Sequence, residues 1–211
     1  MNTITFFAQH GDEILQATLE HVWLVVATLA LGIAIGVPLG ILVARRPWLS
    51  KPILGTANVA ETIPSLALLG FLLPAPWLGE RADRVAITAL TLYALLPIIR
   101  NTVAGITGVD PAVREAARGM GMTPRQILWQ VELPLSLSTV LAGIRVATVL
   151  TIGVATIAAA VGAGGLGEFI FRGLAMVNNQ LILAGAIPAA ALALLADFFL
   201  SVLERRLRPA R

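Results

Sequence analysis

Five stretches of this chain stay apolar for longer than a soluble fold requires, and they decide what the chain can become. They run from His21 to Ala44, Pro52 to Pro74, Val85 to Thr107, Pro134 to Val161 and Leu181 to Leu203. About 20 apolar residues cross the hydrocarbon core of a bilayer as one helix. No water reaches backbone polar groups there, so such runs must be helical. The expected fold is an all-α integral membrane protein with five transmembrane helices. Five crossings take about 100 residues, close to half of the 211 present. The remainder is too short for a second folded unit, so residues 1–211 read as one transmembrane domain.

Composition agrees. Hydrophobic residues make up 57% of the chain and charged residues only 13%, with a mean hydropathy of +0.86, too little polar surface for a soluble domain of this length. The first 20 residues have neither a basic leader nor an unbroken apolar core, which argues against a cleaved signal peptide. The absence of cysteine removes disulfides, thiol catalysis and thiolate metal sites. Pro38, Pro64, Pro97 and Pro188 are tolerated within spans because neighbouring helices satisfy the freed carbonyls. Gly32, Gly36 and Gly40 line one face for close helix packing.

The basic residues orient the spans. With the N-terminus outside, the inner segments hold Arg45, Arg46, Lys51, Arg100, Arg114, Arg118, Arg125, Arg205, Arg206, Arg208 and Arg211. The outer segments hold Arg81, Arg84 and Arg172, and Arg145 lies within the fourth span. Eleven against three places the C-terminus in the cytoplasm. The pI near 10.5 then reflects orientation in the lipid bilayer, with no nucleic-acid partner needed. Phe6 to Glu20 mixes apolar and acidic residues and reads as a short amphipathic helix on the outer surface. His10 and His21 have no further nitrogen ligand near them, so no metal site is expected.

Between the third and fourth spans lies a cytoplasmic loop, about residues 108–133. Asp110 and Pro111 read as an N-cap and a first-turn proline. Gly119 and Gly121 stop the helix that follows. Thr123 and Gln126 have capping-box spacing and start a second helix, whose Ile127, Leu128, Trp129 and Val131 suit the membrane interface. Pro134 opens the next span. On capping and spacing alone, this helix–turn–helix reads first as a connector, with an element docking into a partner's groove as the alternative.

The residues EAARGMGMTPRQILWQVELP within it resemble the signature of ATP-binding-cassette (ABC) importer permeases. That signature has Glu-Ala-Ala, a glycine four residues later, nine residues, then Ile-x-Leu-Pro. Glu115, Ala116, Ala117, Gly121, Leu133 and Pro134 match it, and Val131 stands where isoleucine is usual. The resemblance implies the type I importer permease fold, with this loop's helix as the coupling helix docked on an ATPase subunit. ANVAETIPSLALLGFLLP, LPIIRNTVAGI, VDPAVREAARGMGM, VELPLSLSTVLAGIRVAT and VGAGGLGEFIFRGL resemble the osmoprotectant uptake permeases, which import glycine betaine, choline and carnitine. The implied partners are ABC ATPase subunits, a second permease subunit (identical or homologous) and a separate extracytoplasmic substrate-binding protein. ATP and Mg are then bound by the ATPase, and this chain carries no cofactor and no catalytic residue. Without a Walker A pattern it supplies no ATP site of its own.

Glu61, Arg145 and Asp197 fall in or near spans, where an ionised group needs a partner or water. Glu61, with Thr62, Pro64 and Ser65 beside it, is a candidate for the translocation pathway or a gate, with helix–helix pairing as the alternative. Arg145 and Asp197 read as structural pairing, and Arg100 as an inner anchor. Gly164, Gly165 and Gly167, with Gly162, allow either close contact with a partner protein or a simple exit turn. Tyr93 is the only tyrosine, and no aromatic cage for a quaternary ammonium is visible. Ligand choice is therefore expected in the binding protein. The alternatives are an importer of another small solute such as an amino acid, a stand-alone secondary transporter, whose repeated halves five spans do not supply, and a membrane enzyme, for which no nucleophile–base pair is present.

Overall fold

The computed structural model describes residues 6–7, 9–75, 78 and 81–207. Arg208 and Arg211, counted above among the inner basic residues, lie outside them. The described residues form helices joined by short turns, and four helices are long and apolar enough to cross a membrane, or five when one bent pair counts as a span.

The first span is helix α1, Gly11–Arg45. At 35 residues it is about 52 Å long, well beyond a hydrocarbon core of about 30 Å. The amphipathic opening segment thus runs into α1 from Gly11 onward, while Phe6, Phe7 and Gln9 are helical ahead of a bend at His10. Nothing between Leu15 and His21 breaks a helix, and Asp12 and Glu13 in the first turn suit its positive end. Ile14 and Ala17 pack beside Leu166, Phe169, Leu181 and Ala184.

After a 3₁₀ turn at Pro47–Leu49, the second apolar run divides into α2, Ser50–Thr62, and α3, Ser65–Leu72, bent by 99°. Pro64 causes the break. It disfavours helical geometry in the residue before it, and Ile63 is extended at φ −70°, ψ 129°. The Tyr93 hydroxyl donates to the Ile63 carbonyl and satisfies it.

Helix α4, Ala82–Thr107, is the central post and contains Tyr93. Asp83 occupies its first turn and accepts a 2.9 Å hydrogen bond from Arg81 Nη2. One face of α4 receives α1, where a β-carbon on Gly36 or Gly40 would meet Ile98 or Thr102. The adjoining face receives the fourth span, where a β-carbon on Gly143 would meet Asn101 and the Pro97 carbonyl.

Two short helices follow, α5, Pro111–Gly119, and α6, Pro124–Ile127. A π turn at Leu128–Glu132 leads directly into α7, Leu133–Ala158. The second loop helix is therefore continuous with the fourth span, and Pro134, which has no N–H to give to the preceding turn, sits immediately after the π turn. Beyond a 3₁₀ turn at Ala159–Val161 come α8, Gly167–Ala175, and the last span α9, Asn179–Arg206. Asn178 caps α9 through the amides of Gln180 and Leu181.

Candidate coupling site

Helix α5 is fixed at both ends by its own sequence. The Asp110 side chain accepts from the Ala112 amide at 2.8 Å, and Pro111 needs no partner at the first helical position. At the other end the Met122 amide reaches the Ala117 carbonyl (3.1 Å) and the Gly121 amide reaches Arg118 (2.9 Å). This pair of bonds is a Schellman cap, which requires a left-handed residue at its corner. Gly121 fills it with φ +78°. The Thr123–Gln126 capping box then forms, with the Thr123 amide 2.8 Å from Gln126 Oε1 and the Gln126 amide 3.4 Å from Thr123 Oγ1.

The helix divides its signature residues between two faces. Glu115 and Ala116 are exposed, as are Val113, Arg118 and Met120. Ala117 turns the other way and is 2% exposed against its own chain. So α5 offers Glu115, Ala116 and Met120 outward while Ala117 seats it on the bundle. Farther along, Val131 and Leu133 are half-buried and Pro134 is exposed.

Beneath α5 lies a charge network that the signature does not mention. Glu132, in the π turn, is 4% exposed. Arg45, at the end of α1, gives its Oε2 a 2.7 Å hydrogen bond and also donates to the Pro124 carbonyl at 3.2 Å. Arg114, on α5, places Nε 3.4 Å from Glu132 Oε1, a charge contact without hydrogen-bond alignment. Arg114 Nη2 donates to the Ile106 carbonyl in the last turn of α4, at 2.5 Å. In sequence, Arg45 and Arg114 read only as orienting charges. The available signal was Glu132 itself, one acid between apolar neighbours.

The pathway candidates gather at the broken span. Glu61, Thr62 and Pro64 are exposed and Ser65 is half-buried, with the Thr62 hydroxyl turned back to the Val59 carbonyl at 2.8 Å. Glu61 thus stands in the last turn of α2, two residues before the break at Ile63. Arg100 ties α4 to α2 through Asn58 Oδ1 at 2.7 Å. Arg145 pairs with Asp197 Oδ1 at 2.8 Å and with Glu204 Oε2 at 2.9 Å, joining α7 to α9. Glu204 went unnoticed in sequence because it lies among the terminal charges.

The glycine-rich segment folds onto this chain. The Gly165 amide donates to Glu20 Oε2 at 3.2 Å. A β-carbon on Gly164 would lie 2.9 Å from that same oxygen, one on Gly165 would meet His21, and one on Gly167 would strike the Thr156 carbonyl. Gly162, Gly164 and Gly165 all have positive φ. The segment is a fitted turn against α1 and α7, and its glycines are required within the chain. Among the described residues, no group of three or more side chains suited to hold a metal ion occurs.

The family model described as "Binding-protein-dependent transport system inner membrane component" matches residues 36–209. A carnitine transport permease protein of Listeria monocytogenes is 47% identical over 98% of this chain and 93% of its own length. A choline transport system permease protein of Bacillus subtilis is 41% identical over 98% and 94%. An osmoprotectant import permease protein of Salmonella typhimurium is 42% identical over 99% and 98%. Among solved structures, a chain of the MetNI methionine ABC transporter in an inward-facing conformation superposes with a TM-score of 0.83 at 25% identity, covering 94% of this chain and 97% of that one.

Proposed function

This chain belongs to the binding-protein-dependent transport system inner membrane components, and from that premise we propose that it forms the translocation pathway for a small osmoprotectant such as glycine betaine, choline or carnitine. It is a membrane permease subunit of an ABC importer, a transport subunit and not itself an enzyme. The observation that carries the substrate class is the near full-length likeness to permeases named for carnitine, choline and osmoprotectants.

In this reading, α5 lies in the cytoplasm and its outward face, Glu115, Ala116 and Met120, docks into a groove of the partner ATPase, which binds ATP and Mg. Gly121 sets the turn, Ala117 seats the helix, and Val131, Leu133 and Pro134 carry its motion into α7. The N-terminus lies outside, where the turn around Gly164, Gly165 and Gly167 presents a firm surface to an extracytoplasmic binding protein. A second permease subunit, identical or homologous, completes the pathway. Glu61, Thr62, Pro64 and Ser65 line it at the bend, where a carboxylate attracts a quaternary ammonium without the aromatic cage needed for tight binding. Closure of the ATPase pair draws the two α5 helices together and exchanges inward-open and outward-open states.

The test is reconstitution in proteoliposomes with the cognate ATPase and binding protein. ATP-driven uptake of labelled glycine betaine, choline or carnitine, with no uptake of methionine, is the expected result. Uptake of an amino acid instead would assign the alternative solute class, and uptake by this chain alone without ATP would make it a secondary transporter.

A further inference from the structure

Glu132 joins more elements than any packing requirement explains. Its two arginines come from the end of α1 and from α5, and those arginines hold the Pro124 carbonyl at the start of α6 and the Ile106 carbonyl at the end of α4. Glu132 itself lies in the π turn that opens into α7. A buried carboxylate is costly in apolar surroundings, and its attraction to a partner offsets that cost only when the geometry is good. A connector has no use for such a group, since an apolar residue of similar size holds a turn together as well. π turns recur at functional sites, where they give a helix a place to change register.

We propose that Glu132 is the positioning residue through which movement of α5 reaches the spans. This rests on the ABC importer reading above, in which α5 is driven by an ATPase. The geometry points to a two-armed linkage. Arg114 is the arm that moves with α5, since it stands one residue before the outward-facing Glu115. Arg45 is the arm that holds α1. A displacement of α5 pulls on Glu132 through Arg114, and Glu132 is covalently continuous with α7. The Arg114 arm is the slack one here: its Nε is buried, lies 3.4 Å from Glu132 Oε1 and has no hydrogen bond. The Arg45 arm is already closed at 2.7 Å. A buried donor left without a bond favours a second arrangement in which the bond is made, so tightening of Arg114 on Glu132 accompanies the shift between states. Energetic coupling of this kind travels through packed charge networks that possess two discrete arrangements.

The experiment uses the complete transporter in proteoliposomes and measures solute moved per ATP hydrolysed, for equal amounts of assembled complex. Glu132→Gln keeps the shape and removes the charge, and Arg114→Gln removes the moving arm. Each is expected to lower the transport-to-hydrolysis ratio by about two- to thirty-fold, the range over which single residues alter coupling. The double variant is expected to lose no more than the worse single variant, because the two act as one unit. Losses that multiply, or uptake and hydrolysis falling together with the ratio unchanged, would overturn the proposal and leave Glu132 a structural group. Should Glu132→Gln not assemble, Arg114→Gln decides alone, and an unchanged ratio again overturns the proposal. Absence of ATP-driven uptake by the unaltered complex is a different result, which removes the importer reading beneath it.

Discussion

A β-carbon on Gly40 would stand 2.5 Å from Thr102 Cβ and 3.2 Å from the Ile99 carbonyl. Both neighbours belong to the backbone or lie next to it, so neither can rotate away. Between helices in lipid there is no hydrophobic drive to association, and close packing through small residues takes its place. Gly40 is therefore where α1 and α4 meet most tightly. Gly40→Ala should lower the thermal midpoint of the detergent-solubilised protein, at a cost of about 1–3 kcal/mol from overpacking. Gly55→Ala, where nothing lies within 4 Å of the added carbon, should be neutral or slightly stabilising, since alanine is the better helix former. Equal midpoints for the two variants would refute this account of the packing.

Arg145 sits between two carboxylates of α9, and the two are not equivalent. The Asp197 side chain is 47% exposed and the Glu204 side chain 13%. Removing the arginine takes this cation from both acids at a partly buried site. Arg145→Gln should cost about 1–3 kcal/mol, between the worth of an exposed pair and a buried one. Asp197→Asn should cost less than Glu204→Gln, because water already reaches Asp197. Unfolding in detergent measures all three, and the reverse order for the two acids would contradict the burial argument.

How much of this was legible in the sequence depended on the range of the physics involved. The apolar runs mark the spans because length and hydropathy are local properties. The Asp110 cap, the Thr123–Gln126 box and the left-handed Gly121 were readable for the same reason: each concerns residues no more than five apart in the chain. The Arg145–Asp197 pairing was legible as a need, since a charge in a span must find a partner, though Glu204 was not. What the sequence concealed were the long-range contacts. Glu20 with Gly165 and Arg45 with Glu132 are separated by 145 and 87 residues, and no local pattern announces them. Two boundaries also moved. From Gly11 the opening segment fused with α1, where favourable helix residues continue across the join, and the second loop helix fused with α7 through the π turn that precedes Pro134.

The chain contains no cysteine, so single introduced cysteines report sidedness without background. Met176 and Arg118 are both exposed, one in the turn after α8 and the other on α5. In intact cells a membrane-impermeant thiol reagent should label Met176→Cys and leave Arg118→Cys untouched until the membrane is opened. The opposite pattern would invert the orientation drawn from the basic residues.

Gly121 should be sensitive for its backbone and indifferent for its space. No atom lies within 4 Å of the position a β-carbon would take, yet φ is +78°. Gly121→Val should cost roughly 1–2 kcal/mol through the left-handed penalty, and Gly121→Asn should cost clearly less, because asparagine visits that region more readily. Uptake should follow the same order, since the cap sets the direction in which α5 meets its partner. If valine and asparagine prove equally tolerated in unfolding and in uptake, the cap does not position α5.

Tyr93 offers the sharpest test of the broken span. Its hydroxyl donates to the Ile63 carbonyl, which lies outside any helix because Pro64 follows it. Tyr93→Phe keeps the ring in the buried cluster that includes Leu68, Leu69 and Ala89 and removes only that donor. A neutral hydrogen bond is worth about 0.5–1.5 kcal/mol, and a buried acceptor left without one costs up to about 3 kcal/mol. The loss should fall near the lower figure, because Ile63 and Pro64 are exposed and water can replace the hydroxyl. Stability should therefore change little. Transport should change more, because the bend carries Glu61 on one side and Ser65 on the other, and a freed carbonyl lets their separation vary. Uptake against substrate concentration should show a raised half-saturation concentration at nearly normal expression. Unaltered uptake with a lowered thermal midpoint would make the bond a structural tie and remove the bend from the pathway.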